Sequence, residues 1–520
     1  MKLRTLFGAV LLTLTFNATA QDSLRMRYGN DISADNLRTH LYILAHDSLE
    51  GRETGKEGQK KAARYIADHF SKLGVPPAVN GDYFQEFPLV TEQIQKASVK
   101  INGITLDYLD EFFFFPGFGT WDLKAPVVFA GYGIHTELYS DYEKLDVNGK
   151  IVLMLDGEPF VDGKWLISGT EKPSEWSSDW RMKRDLAKSR GAAAVVMVNS
   201  GYKQYIGRVK YWLSNPSMKL DRLSEDDEKP LPFFFASPEA FDRLLASAKL
   251  KHAEFCRNRL NAGKPLKKSR FGDDNALAVW MDTERISSEN VLCYIRGRDP
   301  ELTEELLVIT AHYDHIGMDE NDIFNGADDD GSGTATVLEL ARVFQKAVNE
   351  GNGPRRSVLL MTVSGEEKGL LGSEWYADHP IWPLDKTVAN LNIDMIGRVD
   401  EAHATDSNYV YLIGSDRLSS ELHTISEEAN AQYTQLALDY TFNADDDPNR
   451  FYYRSDHYNF AKNNIPVIFY FSGVHEDYHG ANDHADKIMY GKMETIARLV
   501  FYTAWEIANR DQRPVVDGAN

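Results

Sequence analysis

The sequence predicts an α/β fold with a mixed, largely parallel central sheet flanked by helices, and a second, β-rich region inserted into it. Two observations lead to this prediction. Beyond about residue 287, apolar strand-like runs alternate with helical segments, which is typical of βα units and a largely parallel sheet. Between about residues 96 and 286, short β-like runs separated by glycines replace this alternation.

The strand candidates of the last part share a nearly continuous apolar character, as expected when helices cover both faces of a sheet. They are VLCYIRG, LLVITAH, SVLLMTVSG, VANLNIDMIG, YVYLIG and PVIFYFSG. Helical periodicity predicts helices over residues 334–346 and 415–430, and a last helix over residues 489–509.

An N-terminal helix is predicted in GKEGQKKAARYIADHFSKLG, where one apolar face runs along the segment and Gly74 occupies the position of a C-terminal cap. We expect such N-terminal helices to complete the α/β domain. The predicted catalytic domain therefore consists of residues 21–95 and 287–520, with residues 96–286 inserted between its two parts.

Residues 1–20 have the pattern of a secretory signal peptide. Lys2 and Arg4 precede an apolar run that is too short to span a membrane, and small residues end the segment at Ala20. The residue directly after Ala20 is not a cysteine that could carry a lipid. We therefore predict an exported protein, periplasmic or extracellular, without a membrane anchor.

The charge balance excludes some partners. The chain has 57 basic and 78 acidic side chains and a net charge of −21, which argues against nucleic acid as a partner. The two cysteines, Cys256 and Cys293, exclude a disulfide scaffold and a cysteine-rich metal site. Their apolar surroundings predict two buried thiols, although an exported protein could also pair them.

Histidines and carboxylates follow four of the predicted strands. They are His312 and Asp314 after LLVITA, Glu366 and Glu367 after SVLLMTVSG, Asp394 after VANLNI, and His475, Glu476 and His479 after PVIFYFSG; Asp329 in NGADDDGSG comes between the first two strands. Ligands bind outside the carboxyl ends of the strands in an open α/β sheet, so we expect these groups to share one rim. Each alone is compatible with a turn, a helix cap or a solvated loop. Their coincidence at one rim favours a site that performs chemistry.

Two other motifs fit less well. A calcium loop of the EF-hand type with its glycine at Gly331 would need acids where Gly326 and Val337 stand. The segment HEDYH, from His475 to His479, has the spacing of a zinc motif that requires a helix. Here it directly follows a strand and lies among glycines, which argues against a helix.

Several segments, taken in order, resemble the zinc exopeptidases of the bacterial leucyl aminopeptidase and aminopeptidase Y type, the MH clan. They are AHYDHIG, NGADDDGSG, SGEEKGLLGSEWY, LNIDMIG, SDHYNFAKNNIPVIFYF and DYHGANDHADKI, and they span about residues 287–510. The resemblance implies a zinc exopeptidase fold with two zinc ions per chain. The implied ligands are His312 and Asp394 for one ion, Glu367 and His479 for the other, and Asp329 as the bridge, with Glu366 as the general base.

The residue types suit that chemistry, because imidazoles and carboxylates are common zinc ligands and a neighbouring carboxylate can take and return a proton. Asp314, two residues after His312, is placed to orient that imidazole. Asp456 and His457 in SDHYNF shape the pocket in this interpretation, although a structural turn explains them equally well.

One departure from the family pattern concerns the loop of the last ligand, where relatives often have Thr and Pro. Here Gly480 and Ala481 follow His479, while Asp483 is kept. We expect the metal site to persist with an altered loop and an altered specificity. His484, close by, is expected to lie at the surface.

The inserted region resembles a protease-associated domain through VVFAGYGI, YEKLDVNGKIVLMLDGEP and GAAAVVMVNS. The resemblance implies a role in substrate access or partner binding rather than in catalysis.

The sequence thus predicts a secreted or periplasmic dizinc aminopeptidase that acts on peptides. Three alternatives stay open: a glutaminyl cyclase, a carboxypeptidase of the same fold, and a non-catalytic binding relative. A cyclase would use one zinc ion, a carboxypeptidase for acidic ends would need a basic pocket, and a binding relative would have lost ligands.

Overall fold

The structure is a computed structural model that describes residues 22–222, 230–264, 266 and 270–518. The predicted signal peptide, residues 1–20, lies outside the described residues.

The described chain contains helices in both its terminal parts and its middle part. In chain order they are α1 (22–29), α2 (Ala34–Leu44), α3 (Glu57–Leu73), α4 (Glu175–Ser178), α5 (Trp180–Ser189), α6 (Tyr202–Ser214), α7 (Pro238–Ser247), α8 (Ala253–Asn261), α9 (Gly333–Asn349), α10 (Leu371–Asp378), α11 (Ser420–Ala429), α12 (His457–Ala461) and α13 (Tyr490–Asn509).

The strands vary from two to twenty residues in length. In chain order they are β1 (Phe84–Ile101), β2 (Ile104–Leu106), β3 (Phe112–Phe114), β4 (Trp121–Leu123), β5 (Val127–Phe129), β6 (Ile151–Met154), β7 (Phe160–Val161), β8 (Lys164–Trp165), β9 (Ala194–Val198), β10 (Ser217–Leu220), β11 (Phe233–Ala236), β12 (Ala276–Ile295), β13 (Leu306–His312), β14 (Gly317–Met318), β15 (Ile323–Phe324), β16 (Ser357–Val363), β17 (Thr387–Ile393), β18 (Tyr409–Ile413), β19 (Ala437–Asp439) and β20 (Val467–Phe471).

The chain forms two compact units. Of the described residues, the larger unit comprises 22–89, 219–221 and 286–518, and the smaller unit comprises 90–218, 222, 230–264, 266 and 270–285.

The larger unit contains the predicted α/β sheet. Seven strands of this sheet follow the order β12-β16-β13-β17-β20-β18-β19. Strands β16, β13, β17 and β20 are mutually parallel, whereas β12 and β18 are antiparallel to their neighbours β16 and β20. The prediction of a mixed, largely parallel sheet is therefore confirmed, and all six predicted strands are present.

Helices cover both faces of this sheet. Along β13, Leu307 and Ile309 pack into the apolar core that also contains residues of α2, α3, α9 and α13. The alternate residues Leu306 and Val308 pack into a second core on the other face, with residues of α10 and α12. This two-sided burial explains why the strands are apolar at nearly every position.

Helices α2 and α3 belong to the larger unit. Helix α3 buries one apolar face and ends at Gly74, which adopts the left-handed conformation that suits a C-terminal cap (φ 74°). The fully buried Arg52 donates hydrogen bonds to the carbonyl oxygens of Leu44, Tyr313 and Asn325. It therefore ties the N-terminal segment to the loops that follow β13.

The smaller unit is built on a five-stranded sheet with the order β3-β11-β9-β6-β5, in which only β3 is antiparallel to its neighbour. It also contains helices α4 to α8. The sequence analysis described this region by its β-like runs. The 10-residue helix α5 and the 13-residue helix α6 were not among the predicted elements.

Among the described residues, no helix combines the length and the apolar character needed to span a membrane. Cys256 and Cys293 are both buried free thiols.

Candidate metal centre

The predicted metal ligands follow the carboxyl ends of neighbouring strands. His312 is the last residue of β13 and is in parallel register with Val363, the last residue of β16. Glu366 and Glu367 follow β16 after a two-residue turn, and Asp394 directly follows β17. Because these strands are parallel neighbours, the side chains meet at one edge of the sheet.

The first cluster consists of His312, Asp329 and Asp394, all of which are buried. The Nε2 atom of His312 lies 3.2 Å from Oδ1 of Asp329 and 3.7 Å from Oδ1 of Asp394. Oε2 of Glu366 lies 3.9 Å from the same nitrogen. The predicted general base thus stands beside the cluster.

The second cluster surrounds the other carboxylate oxygen of Asp329. Nε2 of His479 lies 3.1 Å from Oδ2 of Asp329 and 3.2 Å from Oε2 of Glu367. Nδ1 of His315 lies 2.8 Å from Oε1 of Glu367 and 3.8 Å from Oδ2 of Asp329. Asp329 therefore contributes one oxygen to each cluster, which is the geometry of a bridging carboxylate.

His315 is the residue of this centre that sequence reasoning missed. It is fully buried and faces Glu367, in the place where His479 was the sole histidine expected. The signal was available, because AHYDHIG contains two histidines and only His312 received a role. Their spacing of three residues after a strand did not indicate that both would face the same carboxylates.

The donor atoms of these clusters fit metal ions. Among the described residues, two groups bring three donor atoms within 4.8 Å of one another: His312 with Asp329 and Asp394, and His315 with Asp329 and Glu367. Nδ1 of His315, Oδ2 of Asp329 and Oε1 of Glu367 are buried and have no hydrogen-bond partner. Buried polar atoms are almost always satisfied, and a cation bound by imidazole and carboxylate would satisfy these three.

The electrostatics of the centre reflect this crowding of charge. Burial alone would raise the pKa of Asp329, but the imidazoles of His312 and His479 hold it well below its usual range. The pKa of Glu366 lies well above its usual range because the carboxyl is buried and the carboxylates of Glu367 and Asp394 lie nearby. Despite burial, contacts with histidines lower the pKa of Glu367 to about 2. The adjacent glutamates therefore differ strongly in their affinity for a proton.

The three consecutive aspartates of NGADDDGSG have different partners. Asp329 joins the two clusters, while the fully buried Asp330 accepts hydrogen bonds from the backbone N–H groups of His312 (3.2 Å) and Met395 (3.2 Å). Asp330 thus links the ends of β13 and β17. The buried Asp328 accepts a 2.6 Å hydrogen bond from the backbone N–H of Gly397, so one polar run supplies both a candidate ligand and the scaffold that holds it.

The turn that carries Asp329 requires a glycine. Gly326 has φ of 52°, and a Cβ atom there would lie 2.3 Å from the carbonyl oxygen of Asp329 and 2.5 Å from the ring of His315. Oδ2 of Asp483 accepts hydrogen bonds from the N–H groups of Asp328 (2.9 Å) and Asp329 (3.2 Å). The loop after His479 therefore fixes this turn through Asp483.

Asp314 supports the centre mainly through its backbone. Nδ1 of His312 lies 3.1 Å from the carbonyl oxygen of Asp314 and 3.8 Å from its carboxylate. The carboxylate instead accepts hydrogen bonds from the hydroxyl of Thr54 (2.6 Å) and the N–H of Glu366 (3.3 Å). It thereby connects the N-terminal segment to the turn that carries Glu366.

Asp456 and His457 lie behind the centre. Asp456 is fully buried, its Oδ1 accepts a hydrogen bond from Ser373 (2.5 Å), and burial raises its pKa to about 7. The ring of His457 stacks on Phe469 with centroids 4.7 Å apart, and burial lowers its pKa to about 3. Phe469 lines the cavity beside the metal clusters, so His457 acts on that cavity through a neighbour.

The segment HEDYH does not form the helix that the alternative zinc motif requires. Residues 472–480 contain no helix. Nε2 of His475 lies 3.4 Å from Asp328 and is not part of the clusters above. Glu476 is exposed. The two histidines of this segment therefore have different surroundings.

A cavity of about 40 Å³ opens beside the clusters. Its lining combines Asp329, Glu366, Asp394 and His479 with aromatic and apolar side chains. Glu367 is absent from this lining. A larger cavity, about 740 Å³, borders the C-terminal residues 512–516 and includes none of the candidate metal ligands. The small cavity therefore adjoins the candidate metal ligands, whereas the larger one does not.

The fold and this centre define an α/β protein with two adjoining candidate metal-binding clusters at the carboxyl edge of its sheet. Residues 290–504 match the model of peptidase family M28. This part of the chain is a peptidase family M28 domain.

Individual relatives agree with this assignment. An aminopeptidase of Bacillus subtilis, YwaD, is 26% identical over 40% of this chain and 43% of its own length. A probable leucine aminopeptidase of Arthroderma otae is 30% identical over 41% of this chain and 57% of its own length. The chain thus matches roughly half the length of each of these curated relatives.

Among solved structures, the aminopeptidase from Aneurinibacillus sp. strain AM-1 aligns over 95% of this chain and 98% of its own, with a TM-score of 0.53 and 21% identity. At this identity the likeness shows a common fold.

Proposed function

We propose that this chain is a zinc aminopeptidase that hydrolyses the N-terminal peptide bond of peptides. One observation carries the proposal: two donor clusters share Asp329, and Glu366 stands beside them in the same cavity. The peptidase family M28 domain and the relatives named as aminopeptidases support it.

The proposal assigns two zinc ions to each chain. His312 and Asp394 would hold one ion, Glu367 and His479 the other, and Asp329 both. When bound, such a pair of ions polarises a carbonyl group and makes a water molecule more acidic.

Glu366 is the proposed general base. Its carboxylate would take a proton from the attacking water and return it to the leaving amine. Its position supports this role, since Oε2 of Glu366 lies 3.9 Å from Nε2 of His312 in the first cluster. Asp314 would fix this residue by accepting the hydrogen bond from its backbone N–H.

The proposal also includes export to the periplasm or the extracellular space, on the basis of residues 1–20. Peptides are the proposed substrates, and the acidic net charge argues against nucleic acid as a partner. For the smaller unit we keep the proposal of a protease-associated domain that influences substrate access or partner binding.

The test uses the purified chain without residues 1–20, with its metal content measured on the same sample. The tripeptide Leu-Gly-Ala, its N-acetylated form and a peptide with N-terminal glutamine serve as substrates. Release of free Leu from the first alone, with two zinc ions per chain, would support the proposal. Release of Ala from both tripeptides would indicate a carboxypeptidase. Cyclisation of the N-terminal glutamine by a chain with one zinc ion would indicate a cyclase. Turnover of none of the three substrates would indicate a binding protein.

A further inference from the structure

One positively charged side chain, an arginine, lines the cavity beside the metal clusters. Among the described residues that line it, Arg454 is the single arginine or lysine. Half of the other lining residues are apolar, including Phe451, Phe471 and Val474. The carboxylates of the lining belong to the proposed metal ligands and general base.

Two aromatic residues hold the guanidinium group of Arg454 at the rim. Its Cζ atom lies 4.8 Å from the centre of the Phe451 ring, and Nη2 donates a 3.4 Å hydrogen bond to the hydroxyl of Tyr478. The Tyr478 ring in turn stacks on His479, with centroids 4.0 Å apart. The cation is therefore connected through one side chain to a proposed metal ligand.

Arg454 forms no ion pair with any residue in the part of the chain that the structure describes. Nearby arginines differ in this respect, because Arg398 lies 3.2 Å from Asp477 and Arg417 lies 3.2 Å from Asp445. The side chain of Arg454 is exposed, so most of its five N–H donors are free for a ligand.

A guanidinium group with free donors at a pocket rim is suited to a carboxylate, which it can bind through two parallel hydrogen bonds. The proposed substrate offers such a group in two places. One is the terminal carboxylate of a short peptide, and the other is an acidic side chain on the N-terminal residue.

We propose that Arg454 binds a carboxylate group of the peptide substrate and thereby favours short peptides with a free C-terminus. This inference rests on the proposed function. The side chains of Phe451, Phe469 and Phe471 suit an apolar N-terminal residue of the peptide. An apolar residue does not pair with a charge, so Arg454 would then bind the terminal carboxylate. Preference for an acidic N-terminal residue is the other source of the same chemistry.

The test compares two pairs of substrates. Leu-Ala and Leu-Ala-amide differ in the terminal carboxylate, and Glu-Ala-amide and Gln-Ala-amide differ in the acidic side chain. The variants are Arg454→Met, which removes the charge, and Arg454→Lys, which keeps it without the planar fork. Arg450→Met is the matched control, because Arg450 is also exposed and lies over a tyrosine ring, but does not line the cavity.

In the wild type we expect a higher kcat/KM for Leu-Ala than for its amide. Arg454→Met should lower kcat/KM for Leu-Ala about tenfold more than for the amide, mainly through KM, which is the loss expected for one charge-assisted contact at a rim. Arg454→Lys should restore part of the preference, and Arg450→Met should keep it. If Arg454→Met instead lowers only the preference for Glu-Ala-amide over Gln-Ala-amide, then Arg454 binds the carboxylate of the N-terminal side chain. The assignment to the terminal carboxylate would then be wrong.

The inference would be overturned if, in both substrate pairs, the ratio of kcat/KM for the acid to kcat/KM for the amide were the same in Arg454→Met as in the wild type. An equal fall of this ratio in Arg450→Met would also overturn it, because a general effect of charge would then explain it. Calorimetric titration of Leu-Ala and Leu-Ala-amide into the Glu366→Gln variant separates this result from a failure of the proposed function. Loss of the binding preference on adding Arg454→Met supports the inference even if no peptide is cleaved.

Discussion

The hydroxyl of Ser455 donates a 2.7 Å hydrogen bond to Oδ2 of Asp394. The side-chain amide of Asn392 donates to Ser455 (2.8 Å), and the hydroxyl of Thr310 donates to Asn392 (2.6 Å). All four residues are buried. The candidate metal ligand Asp394 therefore stands at the end of a buried chain of hydrogen bonds that begins inside the sheet.

Replacing Ser455 by Ala removes the hydrogen bond that orients the Asp394 carboxylate. We expect the affinity for zinc to fall about 10- to 100-fold, the usual effect of losing a partner of a metal ligand. Competition with a chromogenic chelator measures it. Ser426→Ala is the control, since Ser426 is also buried but contacts Tyr470 instead. Equal affinities in Ser455→Ala and the control would show that Ser455 does not position the ligand.

Replacing Glu366 by Gln keeps the shape of the side chain but removes its ability to accept a proton. We expect kcat to fall about 10²- to 10⁴-fold, with two zinc ions still bound. Steady-state kinetics and metal analysis on the same sample check both parts. The control, Glu476→Gln, changes an exposed residue of HEDYH and should retain activity. An active Glu366→Gln variant together with an inactive Glu476→Gln variant would instead place the catalytic glutamate in the HEDYH segment.

Replacing His315 by Gln tests the residue that the structure adds to the second cluster. Its Nδ1 atom lies 2.8 Å from Oε1 of Glu367, and both atoms lack a hydrogen-bond partner. We expect one of two zinc-binding steps to weaken about 10- to 100-fold, as resolved by calorimetry. His484→Gln, in the loop after His479, should leave both steps unchanged. Two unchanged steps in His315→Gln would assign that histidine a purely structural role.

Zinc binding should release protons. Although burial lowers the pKa of His479, the neighbouring carboxylates of Asp329 and Glu367 raise it to about 10 in the metal-free protein. A raised pKa means that the imidazole stays protonated at neutral pH, and a metal ion must displace this proton. The apparent zinc affinity should therefore increase with pH between about 7 and 10, about tenfold per pH unit for each proton released.

Calorimetry of zinc binding in buffers with different ionisation enthalpies counts these protons. His479→Gln should release about one proton fewer than the wild type. A proton count near zero at pH 7 would contradict the prediction, because it would mean that the histidines are already neutral.

Much of the α/β fold could be predicted from local patterns. The strands of the larger unit are recognisable because burial on both faces makes nearly every residue apolar, as in β13 and β16. Gly74 marks the end of α3 because the left-handed conformation favours glycine. In the smaller unit, helices α5 and α6 were not predicted.

The sequence alone determined that histidines and acids follow parallel strands, because strand direction places such residues at one edge whatever the details of packing. The tertiary structure decided which of them meet. The positions of His315 beside Glu367, of Ser455 beside Asp394 and of Arg454 in the cavity depend on how separate loops pack together. Contacts between residues far apart in the chain leave no periodic trace in the sequence, so only the folded structure reveals them.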